Sequence, residues 1–414
     1  MNRREEFSKT HAHAKAIYEV GSTSEAGIPT CVVKFLSEAA TAAYNSTEAV
    51  ATVPFWIDSL CVPKQLRLRR TAISLMGETY SCAAAVVVVD SSMLRLSVED
   101  PVEEQLFVLY VSSWVQRLWT LKEALLSQQL LFRVSDGLID FRYFFTDKVL
   151  QMRFSDPIAV KLLGWFGQMM IGPILRSAAR AAGSTETQPS YTLDDVILHL
   201  AKRTSSRPTD EISAIAGLFG LDPNEYWSLD PDQRMARFLS EYNGSRVPYD
   251  ILFLDGPKLP VENYTWAPRT FMNRQMNLEL KGTAEGNLGV VTEQGLLGQY
   301  YALVLRDKWP DDGKPPLTSK IRVNDTQDLV LLFSRSVDPE DDPTPTYNIL
   351  VLQRAPEPGE EFLAAGCQLL EVAEDKVLSV ELNCYVHVFN EDRHRAWNSL
   401  PVMNHALGTN RFVC

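Results

Sequence analysis

Four consecutive valines, Val86–Val89, inside the apolar run Ala83–Asp90 set the strongest limit on what this chain can fold into. An apolar run without polar alternation suits a strand covered on both faces, and such strands are characteristic of parallel α/β sheets. The neighbouring patterns agree. From Ile28 onward, Val32, Val33, Leu36, Ala39 and Ala40 recur at helical spacing. Val53–Asp58 reads as a strand, Arg67–Tyr80 as a helix with Ile73, Met76 and Tyr80 on one face, and Leu130–Val134 as another short strand. Helix, strand, helix, strand in that order predicts a parallel sheet with crossover helices.

Between the valine run and Leu130 lies an acidic loop, Glu99–Glu104, and then a pattern that predicts one long helix from about Glu104 to Ser127. At about 100° per residue, Phe107, Trp114, Leu118, Leu121 and Leu125 fall on one stripe, the expected core face. Trp119 and Glu123 fall on the other side, with Ser112 and Gln116. An off-stripe Trp beside a Glu needs an explanation.

The rest of the chain divides by texture. Residues 1–26 are polar and poorly specified, 27–150 carry the α/β pattern, 151–245 read as mainly helical, and 246–414 as β-rich. In the helical region, Thr209 or Asp210 is placed to cap a helix start and Gly220 its end. Beyond 246, the runs Tyr301–Leu305, Leu329–Phe333, Tyr347–Leu352, Val377–Leu382 and Cys384–Phe389 are separated by Pro, Gly and Asp clusters, the signature of antiparallel strands. The length of 414 residues fits two or three domains.

Composition excludes some classes. Hydrophobic residues make up 45% and charged residues 22%, which is too apolar for a disordered chain. A formal net charge of −12 disfavours nucleic acid and anionic membranes as partners of the whole surface. Arg67, Arg69 and Arg70 are interleaved with leucines and read as the solvated side of a helix. The longest uncharged apolar stretch, Leu162–Leu175, has 14 residues broken by glycines and Pro173. A membrane span needs about 20, so it reads as a buried helix or a lipid-grazing segment. The N-terminus has no apolar run of the secretory kind. Six scattered cysteines without a CxxC pair suit reduced thiols in a cytoplasmic protein, with Cys61 and Cys82 as small core residues.

The chemistry candidates are few. Asp58 and Asp90 both end predicted strands, where open α/β sheets bind ligands. The commoner role for each is to cap the turn that follows. Glu123 is a candidate acid/base or nucleophilic carboxylate beside the Trp119 indole, or else a plain helical Glu. Arg117 is placed to pair with either acid, or else simply faces water. The six histidines do not cluster, and His199 and His387 lie in apolar segments as structural residues. No dinucleotide, phosphate-loop, zinc-protease, esterase or kinase signature is present, so no cofactor or metal is evident.

Taken together, several stretches resemble one family. Phe55-Trp-Ile-Asp-Ser-Leu-Cys-Val-Pro63 is similar to the central signature of the fungal heterokaryon-incompatibility (HET) domain. Arg70–Ala83, with its Met and Tyr, resembles the next helix, and Ala85–Asp90 the strand after it. Trp114–Glu123 resembles the family's Arg-x-Trp-Thr-x-x-Glu motif, and Gly27–Cys31 the opening of its first helix. Asp210-Glu211 and Tyr264–Phe271 also look like stretches of such proteins. The good match covers roughly 27–133. The motif that ends the family's first strand is absent from Ala16–Ser22, which implies either a lost first strand or a degenerate, non-catalytic member whose motifs only pack the sheet.

The resemblance implies a flavodoxin-like parallel sheet similar to TIR domains, possession of an incomplete first strand aside. It also implies a role in non-self recognition and programmed cell death through self-association or another incompatibility protein. Some TIR domains hydrolyse NAD with a Glu in a Trp-x-x-x-Glu helix, and Trp119 and Glu123 have that spacing. NAD is then the implied substrate, with Trp56, Asp58, Asp90, Arg117 and Trp119 around the cleft.

Overall fold

The computed structural model describes residues 4–5, 17–19, 28–44, 53–141, 192–254, 256–272, 288–305, 318–324, 327–333, 349–352, 361–372, 377–390, 402–403 and 405–413. The chain forms two compact units, Met1–Tyr191 with Lys202–Trp227, and Thr192–Ala201 with Ser228–Cys414. It has a small mixed sheet near the N-terminus, helices in the middle and an antiparallel sheet toward the C-terminus. Leu162–Leu175, His11 and His13 lie outside the described residues.

The first unit opens with three short antiparallel strands, β1 (Arg4–Glu5), β2 (Ile17–Glu19) and β3 (Ile28–Pro29), followed by α1 (Thr30–Ala43). The expected strand at Val53–Asp58 does not form. Ile57 is extended, but Asp58 starts the one-turn helix α2 (Asp58–Cys61), and its carboxylate accepts the Ser59 N–H at 2.6 Å. A first-turn acid that satisfies a free N–H favours a helix start over a ladder. Next come α3 (Leu66–Ser74) and α4 (Met76–Cys82), separated at Leu75. Ile73, Met76 and Tyr80 are all buried, as their spacing predicts. Arg67 and Arg70 are exposed, and Arg70 also reaches over the Trp227 ring. Cys82 is exposed rather than a core residue, and Cys61 is half-buried.

The mixed sheet holds β4 (Val86–Val88), β5 (Leu130–Arg133) and β6 (Leu138–Asp140), in that order. Strands β4 and β5 are parallel, with Val87 opposite Leu131, and β5 and β6 are antiparallel. Val86 and Val88 are buried while Val87 is half-buried, so the valine run is covered fully on one face only.

The crossover from β4 to β5 is not the single long helix that periodicity predicts. It is α5 (Val102–Val111), α6 (Ser113–Gln116) and α7 (Thr120–Leu126). Two tertiary contacts break it. At the first break the Ser112 side chain accepts the Val115 N–H, and Asp90 at the end of β4 takes the Ser113 hydroxyl at 2.6 Å and the Trp114 N–H at 3.1 Å. At the second, Arg117 is extended and pairs with Thr204. The Leu118 N–H donates to Thr204 O at 3.0 Å, and the Thr204 N–H to Gln116 O at 2.7 Å. Each break resets the helical phase. Phe107, expected in the core, is 58% exposed, while Trp114 is only 6% exposed.

Among the described residues the middle helices are α8 (Leu193–Leu200), α9 (Glu211–Ile215) and α10 (Pro231–Glu241), and the expected helical stretch 151–191 lies outside them. A reciprocal capping box between Thr192 and Asp195 starts α8, which buries His199. The α9 segment enters through a 3₁₀ turn, Pro208–Asp210, rather than through a side-chain cap. It ends at Gly220, whose φ of +74° is the left-handed stop that glycine accepts most readily.

The second unit contains β7 (Arg246–Pro248), β8 (Leu288–Thr292), β9 (Gly295–Leu305), β10 (Thr318–Asn324), β11 (Gln327–Phe333), β12 (Ile349–Leu352), β13 (Glu361–Val372), β14 (Val377–Asn390), β15 (Val402–Met403) and β16 (His405–Val413). Every run expected to be a strand beyond 300 lies within one of these as far as it is described; Tyr347 and Asn348 lie outside the described residues. Strands β9, β12, β13 and β14 pair antiparallel in series. Strand β16 then joins β9 antiparallel and β14 parallel, which closes a ring of five strands. Strands β8 and β7 extend it from β9, and β11, β10 and β15 from β14. His387 lies in β14, opposite Leu332 and Leu363.

Candidate functional site

Glu123 stands in the first turn of α7 and is the centre of a cluster drawn from four segments of the first unit. The Trp114 indole Nε1–H donates to its Oε2 at 2.8 Å. The Tyr80 hydroxyl from α4 makes a longer contact, 3.5 Å, to Oε1. The Trp56 ring meets Tyr80 edge-on at a centroid distance of 5.6 Å. Trp114 itself packs edge-on against Phe132 of β5 at 5.3 Å.

Charge surrounds this aromatic shell. Burial raises the Glu123 carboxyl above the usual Glu range, and Asp58 adds to that. The Trp114 hydrogen bond, Arg117 and Arg203 act in the opposite direction without cancelling it. Burial, followed by Glu123 and Asp58, pushes the Tyr80 phenol well above its ordinary value. Because the folded value of Glu123 is raised, its protonation supports the fold fully below the ordinary value of 4.5. That support is lost as pH rises through the folded value.

Arg203 completes the cluster. It is 2% exposed, and its Nη1 donates to Arg117 O at 2.6 Å and Thr120 Oγ1 at 2.7 Å. Burial lowers its value to about 10, with Glu123 acting to raise it. It therefore secures the extended Arg117 and the start of α7 while offering Glu123 a positive field.

The candidate residues thus divide. Glu123, Trp56, Asp58 and Arg117 belong to one electrostatic and aromatic cluster. The Trp119 indole is not the one on Glu123. Trp119 is the N-cap residue of α7, and its ring carries the Lys122 ammonium at 5.9 Å. The helix break at Arg117 is the reason, since it swings Trp114 rather than Trp119 onto the carboxylate. Asp90 is a capping group. Besides Ser113 and Trp114, it accepts the Ser92 N–H at 2.9 Å and the Ser92 hydroxyl. Burial would raise its carboxyl, but these bonds outweigh burial and hold it below the ordinary Asp range.

Asp90→Ala strips the buried Trp114 N–H of its acceptor and is expected to cost about 2–3 kcal/mol in a denaturant titration at neutral pH. The wild-type advantage is present above the ordinary Asp value of 3.8 and fades as pH falls through the lower folded value.

No protein-family model, curated protein or solved structure matches this chain. Among the described residues no group of three or more His, Cys, Asp or Glu is placed to hold a metal ion. No described helix is long and apolar enough to cross a membrane. The family-like stretch Tyr264–Phe271 is structural within the second unit. Trp266 and Phe271 are fully buried, and Arg269 grips Asp232 through bonds of 2.7 and 2.9 Å.

Sequence reasoning missed Trp114, Tyr80 and Arg203 as partners of Glu123. A signal for the first was present: a buried Trp needs an acceptor for its one N–H.

Proposed function

We propose that this chain is a heterokaryon-incompatibility domain protein that acts in fungal non-self recognition and cell-death signalling. The observation that supports this reading is convergence. Trp56 and Asp58 of the first HET-like motif, Tyr80 of the second and Glu123 of the third meet in one cluster. Motif residues far apart in sequence that share one carboxylate suggest a common task. On this reading the first unit is a TIR-like domain that works in the cytoplasm through self-association or a second signalling protein. Among its described residues the mixed sheet has one parallel pair, so the flavodoxin-like arrangement rests on the motifs rather than on the strand count. Expression of the full chain in a filamentous fungal host is the test. Growth arrest is expected, and unimpaired growth at confirmed expression overturns the reading.

A second reading is enzymatic: hydrolysis of the nicotinamide–ribose bond of NAD, with Glu123 as the acid/base or nucleophilic carboxyl group. It is favoured by a carboxyl group pushed upward by burial, beside aromatic rings and the exposed Asp58 and Arg117. Glu123→Gln is then expected to reduce NAD consumption by about 10²–10⁴-fold. Equal consumption by wild type and variant would sink it.

A further inference from the structure

We propose that Trp114 is a positioning residue for Glu123, and that Asp90 acts on the same carboxyl group through the backbone of Trp114. The proposal rests on the reading of Glu123 as the functional carboxylate, and it adds the residues that aim it.

A continuous chain of contacts leads from the sheet to the carboxyl group. Asp90 closes strand β4 and accepts the Trp114 N–H at 3.1 Å and the neighbouring Ser113 hydroxyl at 2.6 Å. That fixes the first turn of α6 against the sheet. The Phe132 edge on β5 then sets the plane of the indole, at a 90° interplanar angle. The only N–H of the indole is directed at Glu123 Oε2, 2.8 Å away. A second support comes from Thr120, whose hydroxyl lies 2.5 Å from Trp114 O.

The two carboxylate oxygens are held unequally. Oε2 has a short bond from a rigid, buried donor, whereas Oε1 has only the 3.5 Å contact from Tyr80. A good O–H···O hydrogen bond is about 2.7–2.8 Å, so the Tyr80 contact is weak. Oε1 is therefore the oxygen free to exchange partners, and Trp114 keeps the group in place while it does so. The other charged and titratable groups acting on Glu123 are Asp58 of α2, Tyr80 of α4, Arg117 between α6 and α7, and Arg203. None of them supplies a bond as short as that from Trp114.

The test is read by NMR on the full chain with ¹⁵N-labelled tryptophan. The Trp114 indole signal is identified by its loss in Trp114→Phe. It is expected to shift in one step as Glu123 titrates, and the step is expected to vanish in Glu123→Gln. Loss of the donor in Trp114→Phe should raise the titration midpoint of Glu123, followed by carboxyl ¹³C NMR, by about one pH unit, or roughly tenfold in proton affinity. Should Trp114→Phe fail to fold, Phe132→Leu identifies the signal by its altered ring-current shift and leaves the N–H intact. An indole signal that does not titrate, or a step that survives in Glu123→Gln, overturns the proposal. Absence of NAD turnover alongside an intact indole step refutes the enzymatic reading alone. Turnover without the step refutes the positioning role alone.

Discussion

Arg203→Ala is expected to destabilise the first unit by about 3–5 kcal/mol, the usual cost of breaking a buried charged group out of its partners. Several losses combine. The guanidinium fills a site with 2% exposure, and its removal leaves a void. Arg117 O and Thr120 Oγ1 lose a charged donor at 2.6 and 2.7 Å. Glu123 loses one of the two positive fields that oppose its protonation, so its carboxyl should rise further. Domains are stable by only about 5–15 kcal/mol, so this one change removes a large share. Lysine should restore only part of the loss, because both bonds come from Nη1 at the far end of a planar guanidinium that a compact ammonium does not replace in shape or reach. Urea denaturation followed by tryptophan fluorescence measures the midpoint. Amide exchange at Leu118 and Thr204 reports whether the backbone pairing at the helix break opens first. An Arg203→Ala midpoint within error of wild type would show that the buried guanidinium contributes nothing.

Lys122→Met is expected to act in the opposite direction. Lys122 is 1% exposed, and burial lowers its ammonium to about 8 from 10.5. Its ammonium lies 5.9 Å from the centre of the Trp119 ring and close to Gly217, where a Cβ would come within 3.3 Å of Nζ. At neutral pH the group must be charged in a poorly compensating place. The depressed value corresponds to roughly 3 kcal/mol at 1.36 kcal/mol per pH unit, less about 0.5–1 for the lost cation–π contact. Methionine matches the length and volume without the charge, so a gain of about 2 kcal/mol at pH 7 is expected. The sign follows from the lowered folded value. Neutral Lys122 contributes its full benefit above the ordinary value of 10.5, and that benefit is lost as pH falls through about 8. The advantage of the methionine variant should therefore shrink between pH 8 and 10.5. A constant difference across that range, or a less stable variant at pH 7, would contradict this account.

The two cases show what could be read from the chain and what could not. The β-rich half was legible because each strand carries its own pattern between turn residues, as at Leu329–Phe333 and Val377–Leu382. The buried face of Ile73, Met76 and Tyr80 was legible for the same local reason. The Glu104–Ser127 region was not. Its helical periodicity is real within α5 and again within α7, but contacts from Asp90 and Thr204 interrupt it, and neither is local in sequence. The candidate site inherited that error. Glu123 was selected for its spacing from Trp119, yet its indole partner is Trp114. Asp58 acts on the Glu123 carboxyl, but it does so from the start of a helical turn and not from the end of a strand, the premise on which a shared cleft is expected from sequence. Arg203 carried no sequence signal, because a buried arginine is recognisable only through the acceptors that surround it.

The five-stranded ring of the second unit sets the order in which that unit can be built. Its closing strand, β16, lies at His405–Val413, while its partner β9 lies at Gly295–Leu305. Until the ribosome has released the last of these residues, β9 and part of β14 present unpaired edges, which are templates for intermolecular pairing. Closure then joins segments about a hundred residues apart, a non-local step that makes folding slow. The second unit is thus completed only after synthesis of its final strand, and the nascent chain is most exposed to aggregation during that interval.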